Sequence, residues 1–369
     1  MPVVDLTASN PTACGFEYDH EVILSALVNP AALTYSPDAR GLDTARRAVA
    51  GYYAGMGSGV GLDDIFLTTS TSEAYSWAFR TLCNPGDAVL IPAPSYPLFG
   101  FLADLHDVHL VRYPLVYDHG WQMDLHALER AILPETRAIV VVHPNNPTGH
   151  YTSPAEAERL SALCAERGLA IIADEVFLDF LLDPATARTQ GHRPAAAQPW
   201  SFAGNSRALT FTLSGLSKIS GLPQMKAAWL VVSGPEPLKA QALGRLEVIA
   251  DTFLSPNAPV QLALPALLGL RQGFQRQVLA RLGRNLAELD RQLAAHPTCS
   301  RLKLEGGWYT VLRVPATRSD EDLAVELLTT RGVYVHPGHF FDFPADGYVV
   351  VSLLAPEQEF AEGIRLLLQ

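Results

Sequence analysis

Basic side chains are scarce in this sequence, which sets 27 lysines and arginines against 38 aspartates and glutamates for a net charge of −11 at pH 7. A protein that binds nucleic acid regardless of sequence needs a basic face to neutralise phosphates, so that function class is excluded; a local basic site for one small anion is not. Cysteine is scarcer still. Cys14, Cys83, Cys164 and Cys299 lack the spacing of a disulfide framework or a metal site, so they read as reduced thiols in a cytoplasmic protein and no metal is expected. Long apolar runs are also missing. The richest stretch, Pro259 to Leu270, is broken by Pro265 and followed by Arg271, which suits a buried helix rather than a membrane span. The first residues lack the basic start and apolar run of a signal peptide, and there is neither an internal repeat nor a low-complexity tract.

The 369 residues, 48% apolar and 18% charged, have the composition of an ordinary globular protein and suffice for one large domain and a smaller one. Residues 1–40, rich in Pro, Asn and Asp with one helical patch from Glu21 to Val28, look like an arm lying on another surface. From 41 to 240, short and continuously apolar strands (Ile65–Thr69, Ala88–Ile91, Val108–Val111, Ala138–Val142, Ala170–Ala173, Ala208–Thr212, Ala227–Val232) recur, most of them separated by helical patterns. Among the helices is one marked by Tyr75, Trp77, Ala78, Phe79 and Leu82, and another that Ser153 caps and that runs to Arg167. This rhythm predicts an α/β fold whose mostly parallel sheet is covered by helices on both faces. Beyond about Leu238 the texture changes. A long helical region to Ala294, interrupted near Ser255-Pro256-Asn257 and Gly273, leads into strands around 301–304 and 308–314, a helix over 320–330, strand pieces at 333–335 and 348–353, and a last helix from Pro356. A smaller α+β domain over 241–369 is therefore expected.

In open parallel sheets ligands gather at the carboxyl ends of the strands. The polar residues there are Ser70, Thr71, Ser72, Tyr96, Asn146, Asp174 and Lys218. Lys218 has Gly215, Ser217, Ser220 and Gly221 around it, which leaves room for a flat ligand, and such a lysine can form a Schiff base with an aldehyde. Singly, each residue has a bland role: surface lysine, helix N-cap, strand-end carboxylate, Asn-Pro-Thr-Gly turn or core aromatic. Together they meet the needs of one aldehyde cofactor, pyridoxal 5'-phosphate: a lysine for the imine, a carboxylate at the ring nitrogen, a donor to the phenolic oxygen, an aromatic plane and a phosphate cradle.

With Tyr35 to Gly41, Ser70-Thr-Ser-Glu-Ala74, Pro94-Ser-Tyr96-Pro97, Asn145-Asn-Pro-Thr-Gly149, Ala173-Asp-Glu-Val176 and Ser214-Gly-Leu-Ser-Lys218 in this order, the chain resembles the class I/II aminotransferases, enzymes of fold type I that use pyridoxal phosphate. The resemblance implies an aminotransferase moving an amino group between an amino acid and a 2-oxo acid. It implies Lys218 as Schiff-base lysine and proton carrier, Asp174 as ring-nitrogen partner, Asn146 as phenolic-oxygen donor, Tyr96 as stacking ring, and Ser70, Thr71, Ser72 and Ser217 around the phosphate. It also implies a homodimer in which Tyr35 reaches the partner's phosphate.

Three positions depart from that pattern. Lys226 stands where the family usually carries a phosphate-binding arginine, and it keeps the charge without the bidentate fork. Phe177 stands where many members have a tyrosine donating to the phenolic oxygen. Near the C-terminus, in place of an arginine for the substrate's carboxylate, the chain reads Tyr348-Val-Val-Val-Ser352. Replacements expected for that arginine are Arg40 first, then Arg313 on the strand after Trp308, itself expected to bind substrate, or His336 and His339 beside Gly338; the alternative is a substrate that is an amine or has its carboxylate masked. The cofactor site would equally serve decarboxylation, β-elimination or oxidative deamination, and retention of Lys218 and Asp174 disfavours a catalytically silent ligand sensor.

Overall fold

The computed structural model describes residues 3–182 and 199–369. A two-residue strand, β1 (Val4–Asp5), is followed by helices α1 (His20–Ala26) and α2 (Asp43–Ala54). Next come β2 (Ile65–Thr68), α3 (Thr71–Leu82), β3 (Ala88–Ala93), α4 (Leu98–Asp104), β4 (His109–Tyr117), β5 (Trp121–Met123), α5 (Leu125–Ala131), β6 (Thr136–Val142), α6 (Pro154–Arg167) and β7 (Ala170–Asp174). Strand β8 (Thr210–Gly215) runs into a single helical turn, α7 (Leu216–Ile219), before β9 (Ala228–Ser233). Helices α8 (Glu236–Phe253), α9 (Ala258–Gly269) and α10 (Arg271–Leu293) precede β10 (Ser300–Arg301), β11 (Tyr309–Arg313) and α11 (Asp320–Glu326). The chain closes through β12 (Val333–Tyr334), β13 (His336–Pro337), β14 (Tyr348–Ser352) and α12 (Glu357–Leu368).

Among the described residues the large sheet has eight strands in the order β2-β9-β8-β7-β6-β3-β4-β5, with β9 and β5 running against the rest. Its strands are apolar on both faces because both faces are covered. On one side Val89, Ile91, Ala138, Val140 and Ile172 pack with Trp77 and Phe79 of α3, Phe99 of α4, and Ala242 and Leu246 of α8. The alternate residues Leu90, Ile139, Val141 and Ile171 face the other way, toward Leu128 of α5 and Leu160 of α6, as the two-residue period of a strand requires. At the β2–β9 edge, Ile65, Leu67, Trp229 and Val231 meet α2 and α9. Helices α8 and α9 thus belong to the layers of the large sheet, although residue 240, where a division of the chain was expected, lies within α8.

Four antiparallel strands, in the order β10-β11-β14-β13, form a second sheet backed by α10 and α12, while β1 pairs in parallel with β12. Several local expectations change. Pro265 lies inside α9 without ending it, and the break after α9 is at Leu270, three residues before Gly273. The strand expected over 108–111 runs on to Tyr117 and turns back as β5; Pro114 stands where pairing with β3 ends and before pairing with β5 begins at Leu115, where a missing N–H is least costly. Strand β1 was not foreseen, since two residues carry no period.

Candidate active site

The third residue of the turn after β8 is Lys218. Gly215 makes that turn possible, since a Cβ there would lie 2.7 Å from Ala228 Cβ and 2.9 Å from the Ala227 carbonyl oxygen as β9 passes. Three side chains then fix the turn: Ser220 Oγ donates to the Leu267 carbonyl (3.1 Å), Gln275 Nε2 to the Ile219 carbonyl (3.1 Å) and Tyr18 Oη to the Gly221 carbonyl (2.9 Å). Lys218 Nζ sits 4.9 Å from the ring centre of Trp308 and 5.7 Å from that of Phe177. Burial lowers its pKa to about 8, against the opposing pull of Asp174.

Asp174 ends β7. Its Oδ1 accepts the Val176 N–H at 3.1 Å and its Oδ2 accepts the Tyr75 hydroxyl at 3.0 Å. Burial raises its pKa to about 6, while those two donors and Lys218 pull it down. A buried amine and a buried carboxyl, each displaced toward neutrality, thus share one cavity of about 300 Å³. Such opposed shifts mark functional sites more often than structural ones.

The cavity gathers Thr71, Ser72, Tyr96, Asn146, Phe177 and Ser217 around Asp174 and Lys218. Thr71 and Ser72 occupy the first turn of α3, where backbone N–H groups lack helical partners and suit an anion. The buried Oδ1 of Asn146, an acceptor, has no hydrogen-bond partner among the described residues, and donation to a ligand falls to the Nδ2 of the same amide. The opposite wall consists of Ser9, Tyr309, His336, Phe340 and Phe341.

Other expected site residues lie elsewhere. Ser70 caps α3, its hydroxyl accepting the Glu73 N–H, and is absent from the cavity wall. Lys226 is an exposed residue with φ of 52° that ends a short turn. Tyr35 is 82% exposed and borders a separate cleft. Arg40 is engaged at a distance from the cavity: its guanidinium donates to the Asp63 carbonyl (2.6 Å) and Glu247 Oε2 (2.7 Å). Arg313 lies over the Tyr348 ring at 5.8 Å, in a cleft with the Arg112–Asp342 ion pair. Trp308 is fully buried behind Lys218. Of the two histidines, His336 lines the cavity and His339 is exposed.

A family model described as aminotransferase class I and II matches residues 6–361. The chain belongs to this family. Alanine aminotransferase of Mycobacterium tuberculosis is 31% identical over 376 residues, covering 99% of this chain and 84% of its own. Glutamate-pyruvate aminotransferase AlaA of Escherichia coli is 30% identical over 361 residues, covering 95% and 86%. Among solved structures, an aminotransferase from Escherichia coli matches with a TM-score of 0.86 at 26% identity, over 99% of this chain and 90% of that one. The alanine aminotransferase from Pyrococcus furiosus shares the fold, with a TM-score of 0.87 at 23% identity over 99% and 91%. The reaction of this aminotransferase is therefore amino-group transfer, with an amino acid and a 2-oxo acid as substrates. Class I/II aminotransferases generally depend on pyridoxal phosphate. The donor set around the cavity fits that group: an amine, a strand-end carboxylate, an open amide, and hydroxyls at a helix start.

Tyr75, Ser9 and Tyr309 escaped sequence reasoning. Tyr75 reads as one more core aromatic of α3, and only the tertiary structure brings its hydroxyl to Asp174. Ser9 lies in an arm whose course no local pattern specifies.

Proposed function

We propose that this aminotransferase exchanges the amino group of a small neutral amino acid, alanine, with a 2-oxo acid, using pyridoxal phosphate held between Lys218 and Asp174. The observation that carries the proposal is the cavity wall. Val176, Phe177, Tyr309, Phe340 and Phe341 make its flanks largely apolar, and no guanidinium lines it among the described residues to pair with a second substrate carboxylate. The relative named alanine aminotransferase supports the same choice.

When bound, pyridoxal phosphate supplies an aldehyde that takes up and returns the amino group, and a ring that accepts the electron pair released at the substrate's α-carbon. Lys218 Nζ takes the α-proton and gives it back; a pKa brought down to about 8 keeps part of the amine neutral near pH 7. Asp174, oriented by Tyr75 and the Val176 amide, would hold the ring nitrogen protonated, and a cation there would draw its carboxyl further toward the ionised form. Asn146 would donate to the phenolic oxygen and Tyr96 would stack on the ring. Thr71, Ser72 and Ser217 would take the phosphate. A homodimer of the cytoplasm completes the reading, with the partner subunit's Tyr35 at that phosphate.

The test is a half-reaction. Incubating the cofactor-loaded protein with L-alanine should convert the aldehyde form to the amine form and release pyruvate, and borohydride reduction with peptide mapping should place the cofactor on Lys218. Release of carbon dioxide or ammonia instead of pyruvate, or attachment to Lys226 or Lys239, would refute it.

A further inference from the structure

The substrates of an amino-group transfer each carry a carboxylate beside the reacting carbon, and a carboxylate taken out of water needs a charged or strongly donating partner. Strand β14 does not provide one: Tyr348 lines the separate cleft with Arg313, Ser352 is buried with its Oγ accepting the Leu354 N–H, and the residues between them are valines. Val349 and Val351 face the small-sheet core, Val350 faces the opposite cluster, and all three are fully buried. Arg40 and Arg313 are held elsewhere by the contacts described above.

Two side chains able to carry positive charge line the cavity among the described residues: Lys218 and His336. Lys218 is committed to the cofactor and the α-proton. His336 stands directly across the ladder from Val350, in β13, so it flanks the valine run of β14. Its Nδ1 is buried without a hydrogen-bond partner. The ring lies among aromatics, 5.7 Å from Phe341 and 6.2 Å from Phe340. Burial holds the His336 pKa below its ordinary value and Asp5, which already accepts two hydrogen bonds from Thr7 at 2.7 and 2.6 Å, only partly opposes this, so it is an arriving carboxylate that would draw the proton onto the ring.

We propose that His336 is the anchor for the substrate's α-carboxylate, doing from β13 what no side chain of β14 does. An imidazole makes a single-point contact rather than a bidentate fork. This arrangement favours a small monocarboxylate seated against the Phe340–Phe341 wall. It deepens the alanine reading and rests on it.

Calorimetric binding of pyruvate and of its neutral amide to the cofactor-loaded protein tests the assignment. Wild type should prefer pyruvate. In His336→Ala that preference should fall about tenfold to a hundredfold, the scale of one hydrogen bond to a charged group, and His336→Arg should restore it. In steady state the loss should appear in KM for L-alanine more than in kcat. The same pyruvate preference in His336→Ala as in wild type, with the cofactor still bound, would overturn the assignment, as would a wild type that binds both ligands equally. Failure of wild type to take an amino group from L-alanine refutes the parent reading, while the ligand preference still decides the role of His336.

Discussion

Tyr75 shows how much a single hydroxyl can decide at this site. It reaches from α3 to Asp174 and supplies one of the two hydrogen bonds that hold the carboxylate against its burial. Removing it in Tyr75→Phe leaves a buried acceptor short of a donor and should push the Asp174 carboxyl further up. The expected outcome is about tenfold weaker binding of pyridoxal phosphate, measured by titrating the apo protein spectroscopically; unchanged affinity would remove Tyr75 from the site. Lys218, Asp174 and Asn146 were legible in the sequence because each stands where an apolar strand stops and a polar turn begins. Tyr75 was not, because a tyrosine among Trp77, Ala78 and Phe79 carries no mark that separates its hydroxyl from the core around it. Arg40 misled for a related reason. Its nearness to the Tyr35-to-Gly41 loop is visible in one dimension, whereas the carboxylate that engages it, Glu247, lies on α8.

Between elements, the loop that carries Asn146 is tied down by a buried charge cluster. His150 Nε2 lies 3.3 Å from Glu156 of α6 and its Nδ1 lies 3.8 Å from Glu305, the residue before the Gly306 that meets the same loop. Burial alone would lower the His150 pKa, but the two carboxylates outweigh it and hold it at about 9. Because this folded-state value exceeds the unfolded one of about 6.5, its stabilisation is complete below about pH 6.5 and is lost as pH rises through 9. Thermal melts from pH 7 to 10 should therefore fall more steeply for wild type than for His150→Gln, with a difference on the order of 2–3 kcal/mol at pH 7. Parallel curves would show that His150 is neutral in the fold. Gly149 is required in the same loop, since its φ is 68° and a Cβ would lie 2.6 Å from the Gly306 carbonyl oxygen. Helix α6 was legible to the residue, from the reciprocal Ser153–Glu156 cap to Gly168 at φ of 66°. The β4–β5 hairpin was not, since His109, Arg112 and Pro114 interrupt the apolar pattern that announces a strand.

At the scale of the whole molecule, the segment between α1 and α2 displays Val28, Leu33 and Tyr35 at 81%, 92% and 82% exposure. If a second copy covers it, as the proposed dimer requires, Leu33→Asp should shift the mass in light scattering toward the monomer and weaken retention of the cofactor. A wild type that is already monomeric would refute the dimer. The first strand has a different consequence. Leu6, fully buried, accepts the Ser352 N–H, donates its own to Tyr334 and touches Gly363, while Ser9 forms part of the cavity wall. On the ribosome these arm residues emerge hundreds of residues before their partners. At about 5–20 residues per second, the opening segment waits tens of seconds for the strand that will receive it. A nascent chain can thus assemble the large sheet early, but it cannot close the pocket wall until the strands that hold Leu6 have been made.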